Sequence, residues 1–241
     1  MFMDYEDKII QCKSLDELFE LWRNKEPEGI INHRDNTFIA DGIVNIDEWN
    51  KADKKILYVL KEAYGDGWDN STLASWINDG GCLEHKIWRR LARWTYGIYN
   101  TDINSQAKFK KDISYDEAMT YLKRIAVLNI KKSKGKSYSK YEEINTYGKF
   151  DKIEIKKEIE LINPDIIVCG YTFYTLYNYV FEFENDLENI RNDNWHYYLN
   201  VLNKQRLFID YYHPANHWPE LMNYYGVVSI YQQSLIETFE C

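Results

Sequence analysis

Four short apolar segments, each separated from the next by helix-forming sequence, constrain the fold of this chain more than any other feature. They read ILYVL, IAVLNI, DIIVCG and LFIDYY, and they begin at Ile56, Ile125, Asp165 and Leu207. Short strands that are apolar throughout and alternate with helices are typical of a parallel sheet covered on both faces. The sequence therefore predicts an α/β fold, a three-layer α/β/α sandwich around a central four-stranded, mainly parallel sheet.

Helix signals fill the intervals between these strands. Ser14 and Glu17 form a capping box ahead of an amphipathic helix that ends near Trp22. Further helices are predicted from Asn70 or Ser71 to the Gly80-Gly81 pair, and over residues 84–99, 114–124, 152–161, 171–183 and 219–240. Residues 131–148 are predicted to be a loop. Because no Pro-, Gly- or Ser-rich linker divides the chain, residues 1–241 are predicted to form one domain with an N-terminal helical extension over about residues 1–50.

Composition excludes several classes of protein. No basic leader with an apolar run stands at the N-terminus, and no stretch approaches the roughly 18 apolar residues of a membrane span, so a cytoplasmic protein without membrane contact is expected. The four cysteines, Cys12, Cys82, Cys169 and Cys241, contain no C-x-x-C pair. Neither a disulfide framework nor a zinc or iron–sulfur site is predicted, and no metal or cofactor is expected.

Charge is distributed unevenly along the chain. The formal net charge of −8 argues against indiscriminate nucleic-acid binding, yet residues 102–140 contain ten Lys or Arg and four Asp or Glu. This segment predicts a locally basic face that is suited to DNA. The alternative is that its lysines are ordinary solvated surface.

Polar residues follow the predicted strands at the point where each strand ends. In open parallel sheets the ligand crevice lies beyond the carboxyl ends of the strands, so these loops are expected to share one cleft. The polar set is Glu62, Asp66, Asn129, Lys131, Gly170, His213 and Asn216, with Tyr64, Trp68 and Tyr212 as flat apolar walls. A carboxylate can activate water, and a histidine can hydrogen-bond a developing oxyanion. An asparagine flanked by aromatic rings can read the edge of a planar base, so the cleft points to nucleobase chemistry.

At these positions the sequence resembles the uracil-DNA glycosylase superfamily, particularly the branches whose first motif reads G-E-x-P-G. The counterparts are KEAYG around Glu62, VLNIKK with Asn129, NPDIIVCG with Gly170, and YYHPAN with His213 and Pro214. Their order and spacing match from about Lys54 to Asn216. The resemblance implies the fold of that superfamily and cleavage of the N-glycosidic bond of a flipped uracil or other altered base in DNA, without a cofactor.

The same resemblance implies roles for individual residues. Glu62 and His213 would be catalytic: Glu62 would position or activate the hydrolytic water, and His213 would hold the base O2 as negative charge develops. The base would be bound by Asn129 together with Tyr64, Gly65 and Asp66. DNA contacts would come from Lys131, Lys132, Lys134, Lys136, Asn216 and His217, with His217 or Trp218 as the wedge that fills the gap left by the flipped base.

Two departures from the family motif keep other functions open. Lys61 stands where the family has its first glycine, and Tyr64 stands where it has proline. These residues favour a non-catalytic relative that binds a base, a nucleotide or nucleic acid in the same cleft. A hydrolase of small nucleosides is a further alternative, because it needs the cleft but not the basic flank. An ion pair that draws Glu62 away from the cleft would count against catalysis.

Overall fold

A computed structural model describes residues 4–34, 38–63, 72–136, 138–184 and 195–240. Its described part is built around one six-stranded sheet, which confirms the α/β class. The strands are β1 (Gly42–Ile43), β2 (Ile56–Glu62), β3 (Ile125–Lys131), β4 (Ile166–Gly170), β5 (His196–Val201) and β6 (Lys204–Tyr211). They lie in the order β1-β3-β2-β4-β6-β5. The prediction of four strands is wrong, because two antiparallel edge strands flank the four that the sequence revealed.

The central strands β3, β2, β4 and β6 are parallel, whereas β1 and β5 pair antiparallel with β3 and β6. Strand β5 joins β6 through a hairpin in which Val201 pairs with Lys204. The two turn residues, Leu202 and Asn203, have φ values of 51° and 59°. Positive φ at both positions gives the hairpin the backbone twist that matches its strands. The sequence lacks the glycine that usually marks such a turn, which is why β5 was missed.

Helices surround the sheet. They are α1 (Tyr5–Gln11), α2 (Leu15–Arg23), α3 (Ile46–Lys51), α4 (Leu73–Asn78), α5 (Lys86–Tyr99), α6 (Tyr115–Leu122), α7 (Tyr141–Phe150), α8 (Lys152–Ile162), α9 (Phe173–Thr175) and α10 (Glu220–Glu240). A 3₁₀ turn, Gly81–Glu84, precedes α5, and a π-helical turn, Leu176–Val180, follows α9. Ser14 caps α2 as predicted, by accepting from the Glu17 N–H. The cap of α4 is Thr72, not Asn70 or Ser71, and α7 occupies part of the predicted loop.

Two apolar clusters hold the helices on the two faces of the sheet. Leu57 and Val59 of β2 belong to the cluster that also contains buried residues of α1, α2, α7, α8 and α9. Ile56, Tyr58 and Leu60 belong to the cluster that contains buried residues of α4, α5, α6 and α10. Alternate side chains of one strand thus enter opposite cores, so the central strands had to be apolar throughout.

The N-terminal helices are an integral part of the first of these cores. Trp22 of α2 is completely buried in it. The Tyr5 hydroxyl donates to Glu154 Oε1 of α8 at 2.8 Å, and the Lys25 amino group lies 3.2 Å from Asp151 Oδ1. Burial raises the pKa of Glu154, and the negative charge of Asp151 adds to this effect against the opposing charge of Lys25. Helices α1 and α2 therefore close the sheet face that α8 only partly covers.

Within the described residues, the chain contains no helix with both the length and the apolar character that crossing a bilayer requires.

Candidate functional site

The carboxyl ends of the four parallel strands meet at one edge of the sheet. Glu62 at the end of β2 pairs with Lys131 of β3, and Gly170 at the end of β4 pairs with Tyr211 of β6. A Cβ atom on Gly170 would stand 3.2 Å from Cδ of Pro214, so the segment after β6 folds back against the end of β4. This edge is the candidate functional site.

Glu62 is held in an ion pair on the β3 side of this edge. Its Oε2 accepts from the Lys131 amino group at 2.8 Å, its Oε1 accepts from the Ser139 hydroxyl, and Lys131 also donates to Glu143 of α7 at 2.7 Å. Burial lowers the pKa of Lys131, but the hydrogen bonds to Glu143 and Glu62 outweigh burial and raise this pKa above its ordinary value. Lys131 is therefore positively charged and forms ion pairs with two carboxylates, those of Glu62 and Glu143.

The segment after β3 covers the Glu62 side chain. Its Gly135 N–H donates to the carbonyl of Ala63 at 2.7 Å, and a Cβ on Gly135 would lie 2.5 Å from Glu62 Cγ. Only glycine fits so close an approach. The Glu62 side chain is 5% exposed as a result. Because its carboxylate is both paired and covered, this arrangement does not support Glu62 as the group that activates water.

Asn129 and Lys132 were predicted to contact a ligand, but both side chains bind the buried carboxylate of Asp41. The Asp41 Oδ2 atom accepts from the backbone N–H of Asn129 at 2.6 Å and from its Nδ2 at 3.2 Å. The Lys132 amino group lies between Asp41 and Glu158, and all three side chains are fully buried. Burial and the nearby charge of Asp41 raise the pKa of Glu158 well above its ordinary value. Asp41 is a residue that the sequence analysis missed.

These contacts correct three predicted roles. The amino groups of Lys131 and Lys132 are buried in ion pairs, so they do not form the phosphate-binding surface that was predicted. The Asn129 amide is turned toward Asp41, and Asn129 is only 2% exposed. Lys134 and Lys136 are exposed on the same segment. The predicted base contacts Tyr64, Gly65 and Asp66, and the predicted wall Trp68, lie outside the described residues.

His213 stands at the start of a tight turn after β6. Its carbonyl accepts from the Asn216 backbone N–H at 2.9 Å, and its Nδ1 accepts from the Ala215 N–H at 3.2 Å. Burial, together with the positive charges of Lys61 and Arg90, lowers the pKa of His213 to about 4. The ring is therefore neutral at physiological pH. Since Nδ1 is an acceptor, the proton of the neutral ring is on Nε2.

Asn216 was predicted to contact DNA, but its side chain instead forms hydrogen bonds within this turn and to Asn223. Its Nδ2 donates to the His213 carbonyl at 2.9 Å and to Asn223 Oδ1, and its Oδ1 accepts from the Trp218 N–H at 3.0 Å. His217 and Trp218 are exposed beyond it. The predicted wall Tyr212 lies between two indoles, with ring centroids 5.4 Å from Trp195 and 6.1 Å from Trp218. The backbone of the turn is thus fixed by the hydrogen bonds of Asn216, while the side chains of His217 and Trp218 are exposed.

Arg90 of α5 fixes the same turn from inside the protein. It is 1% exposed, and its guanidinium donates to the carbonyls of Pro214 at 2.6 Å and Asn216 at 3.0 Å, and to the Glu220 carboxylate. The sequence analysis assigned no role to Arg90. The overlooked signal was spacing: Arg90 follows Ile87 by three residues and precedes Trp94 by four, so it lies on the buried face.

Lys61 and Tyr171 complete the open side of the edge. The Lys61 amino group lies 4.6 Å from the centroid of the Tyr171 ring, and Tyr171 is 52% exposed. Tyr141 contacts the same ring at a centroid distance of 5.6 Å. At the ends of β2, β4 and β6, the described residues therefore present a cation, the exposed ring of Tyr171 and the Nε2–H of His213.

A separate groove of about 780 Å³ lies away from this edge, between α1, residues 28–31, α7 and α8. Its lining mixes acidic and basic side chains, and the amino group of Lys25 at its base is fully used by Phe150, Asp151 and Glu154. Its mixed charges select no ligand class. The strand-end edge remains the candidate site.

Among residues 4–34, 38–63, 72–136, 138–184 and 195–240, no group of three or more His, Cys, Asp or Glu side chains is arranged to hold a metal ion. No protein-family model matches the chain, and a search of curated proteins finds no match either. The functional conclusion therefore rests on the geometry of the site.

Proposed function

We propose that this chain is a divergent relative of the uracil-DNA glycosylase superfamily, and that it binds a nucleobase beyond the carboxyl ends of β2, β4 and β6. The base can arrive free, in a nucleotide or in a nucleic acid strand. The observation that carries this proposal is His213, a neutral imidazole whose Nδ1 is occupied by the Ala215 N–H. Its Nε2–H makes no hydrogen bond to any residue that the structure describes, so it is free to donate to a ligand oxygen.

The surroundings of His213 suit a planar ligand with carbonyl acceptors. Tyr171, directly after β4, offers an exposed aromatic face, and base–aromatic stacking contributes about 1–3 kcal/mol per base. A hydrogen bond from a fixed, partly desolvated donor adds directional selection for a base carbonyl. Glu62 is held in an ion pair with Lys131, so it is not placed to activate water; this favours binding, and not hydrolysis, as the main activity.

Isothermal titration with uracil, hypoxanthine, xanthine and their nucleosides tests base recognition. His213→Asn should weaken binding of the preferred base about tenfold, because the shorter side chain cannot reach the position of Nε2 and one hydrogen bond of about 1.4 kcal/mol is lost. His85→Asn is the matched control, since His85 is exposed at the start of α5, where its ring contacts Trp76. Equal affinities for wild type and His213→Asn, or no binding of any base, would contradict the proposal.

Hydrolysis of the N-glycosidic bond is the second candidate, and the protonation state of His213 favours it. When the C1′–N bond breaks, the base leaves with the electron pair; water supplies the hydroxyl that C1′ gains, and the remaining proton of that water passes through solvent to the departed base. A fixed neutral donor stabilises the charge that develops on the base oxygen. Because Glu62 is covered, leaving-base stabilisation would carry the reaction. Exposed Lys134, Lys136 and His217 would then contact a DNA substrate, with a salt-dependent affinity.

A cleavage assay separates the two candidates. Labelled single- and double-stranded oligonucleotides with uracil, hypoxanthine or xanthine are incubated with wild type, His213→Asn and Glu62→Gln. If the chain is a hydrolase, alkali-sensitive sites form with wild type and His213→Asn loses most of this activity. If the protein binds a base but cleaves no oligonucleotide, the binding proposal stands and the hydrolase proposal is refuted.

A further inference from the structure

Lys61 differs from the other lysines at the strand-end edge in its electrostatic partners. Lys131 and Lys132 each lie between two carboxylates. Lys61 is partly buried, and within the described part of the chain its amino group contacts the Tyr171 ring but forms no ion pair. The neighbouring Glu62 carboxylate is already engaged by Lys131 and Ser139. Among the residues that the structure describes, the Lys61 cation has therefore lost part of its hydration without gaining an anion.

This arrangement has an electrostatic cost that an incoming anion would relieve. Burial lowers the pKa of Lys61, and the charge of Glu62 offsets only part of that effect. Lys61 and Arg90 both lower the pKa of His213, so they bring positive charge close to its ring. A negatively charged group beside Lys61 would compensate the Lys61 cation, whereas a neutral base would not.

Tyr171 is fixed in a conformation that presents its ring beside Lys61. Its φ is 61°, a region that a bulky residue adopts only when its surroundings enforce it. The enforcing contacts are backbone hydrogen bonds, in which the Tyr171 N–H donates to Tyr211 O at 2.7 Å and Cys169 O at 2.9 Å. The lysine and the ring thus form a rigid pair one residue past the end of β4.

Resting on the proposed function, we infer that Lys61 and Tyr171 form a phosphate subsite beside His213, and that the ligand is a phosphate ester of a nucleoside. Lys61 would receive the phosphate, Tyr171 would cover the sugar or base next to it, and His213 would read the base. The phosphate is a monoester in a free nucleotide and a diester in a nucleic acid strand, and the same subsite chemistry accepts both.

Isothermal titration of matched ligands tests this inference. The ligands are uridine, inosine, their 5′-monophosphates and a single-stranded uridine tetranucleotide, each titrated into wild type, Lys61→Gln, Lys61→Arg and Lys108→Gln. Lys108 is exposed and outside the edge, so its variant controls for the loss of one positive charge. The monophosphate should bind wild type about ten- to hundredfold more tightly than the nucleoside, the range expected for a charge-assisted hydrogen bond.

The variants should change the phosphate preference alone. Lys61→Gln should abolish it and leave nucleoside affinity unchanged, Lys61→Arg should keep most of it, and Lys108→Gln should keep all of it. A tetranucleotide that binds more tightly than the monophosphate identifies a strand as the source of the phosphate, and the reverse identifies a free nucleotide. Either result supports the subsite when it depends on Lys61.

Failure of the inference can be told apart from failure of the proposed function. If the nucleosides bind and the monophosphates bind no more tightly, the phosphate subsite is overturned and base recognition stands. If only the phosphorylated ligands bind, and they require Lys61 but not His213, the subsite is supported and base recognition fails. If none of the five ligands binds, both are overturned.

Discussion

Replacing Arg90 by methionine should both destabilise the protein and change the titration of His213. The methionine removes the donors that satisfy the carbonyls of Pro214 and Asn216, at about 1 kcal/mol for each hydrogen bond. It also removes the ion pair with Glu220, whose side chain is 31% exposed, so solvent screening reduces that contribution to about 1 kcal/mol. The expected loss of unfolding free energy is about 3 kcal/mol.

Thermal unfolding and NMR measure the two effects. For a chain of this size, 1 kcal/mol lowers Tm by about 2–4 °C, so Arg90→Met should lower Tm by about 6–12 °C. The pKa of His213, followed through its ring carbon resonances, should rise from about 4, since one of the positive charges that lower it is gone. Burial and Lys61 remain, so the pKa should stay below 6.5.

Two variants separate charge from geometry in this experiment. Arg90→Lys keeps the positive charge but loses the forked donor, so Tm should fall while the pKa of His213 stays close to its wild-type value. Arg89→Met alters the adjacent, exposed arginine, which donates to the carbonyl of Leu83, and should leave the titration unchanged. A wild-type Tm for Arg90→Met, or an unchanged pKa of His213, would refute the reasoning.

Three further predictions concern the same edge. Lys132→Met should cost about 3–5 kcal/mol, because two buried carboxylates lose their cation, whereas Glu158→Gln should be nearly neutral; urea unfolding measures both. Gly135→Ala should lower the unfolding free energy by about 1–3 kcal/mol, since its Cβ would lie 2.5 Å from Glu62 Cγ. Urea unfolding measures this loss, and a protease should cleave the segment after β3 faster in the variant than in wild type. The unfolding free energy should fall as pH drops from 6.5 to about 4, because only the unfolded chain protonates His213 in that window, and His213→Gln should reduce this slope.

Each of these predictions has a control or a contrary outcome. Lys136→Met changes an exposed lysine of the same segment and should alter stability by less than about 0.5 kcal/mol. Equal losses for Lys132→Met and Glu158→Gln would show that the two carboxylates do not share one cation. Wild-type stability of Gly135→Ala would mean that the segment is not packed against Glu62. An identical pH slope in His213→Gln would assign that slope to other groups.

The sequence identified the central strands because each is buried on both faces and is apolar throughout. The edge strands carry no such signal. Strand β1 has only two residues, Gly42–Ile43, and β5 mixes buried, partly buried and exposed positions at the edge of the sheet. Helix α7 was hidden by the lysines and serines ahead of it, although Ile144 and Tyr147 on it are buried. Local pattern thus predicts elements whose burial is uniform and misses those whose burial is partial.

The described residues that were predicted for the site follow strand ends at one edge of the sheet, but several of their contacts differ from those predicted. Strand ends can be read from a sequence, since a parallel sheet places them at one edge. The partners of their side chains come from remote segments: Asp41 reaches Asn129 from 88 residues away, and Glu62 is bound by Ser139 from 77 residues away. The packing of these remote segments decides which carboxylate pairs with which lysine. For this reason the sequence analysis predicted ligand contacts for several side chains that in fact bond to other residues of the protein.

The packing of α1 and α2 against α8 has a consequence for how the protein is made. Lys25 and Glu154 are 129 residues apart in the chain. At translation rates of about 5–20 residues per second, the N-terminal helices leave the ribosome on the order of ten seconds before α8 exists. During that delay Trp22 and the apolar residues beside it lack the part of their native surface that α8 supplies. Synthesis of this chain should therefore depend on chaperones that bind nascent polypeptides, even though the finished fold buries the same residues completely.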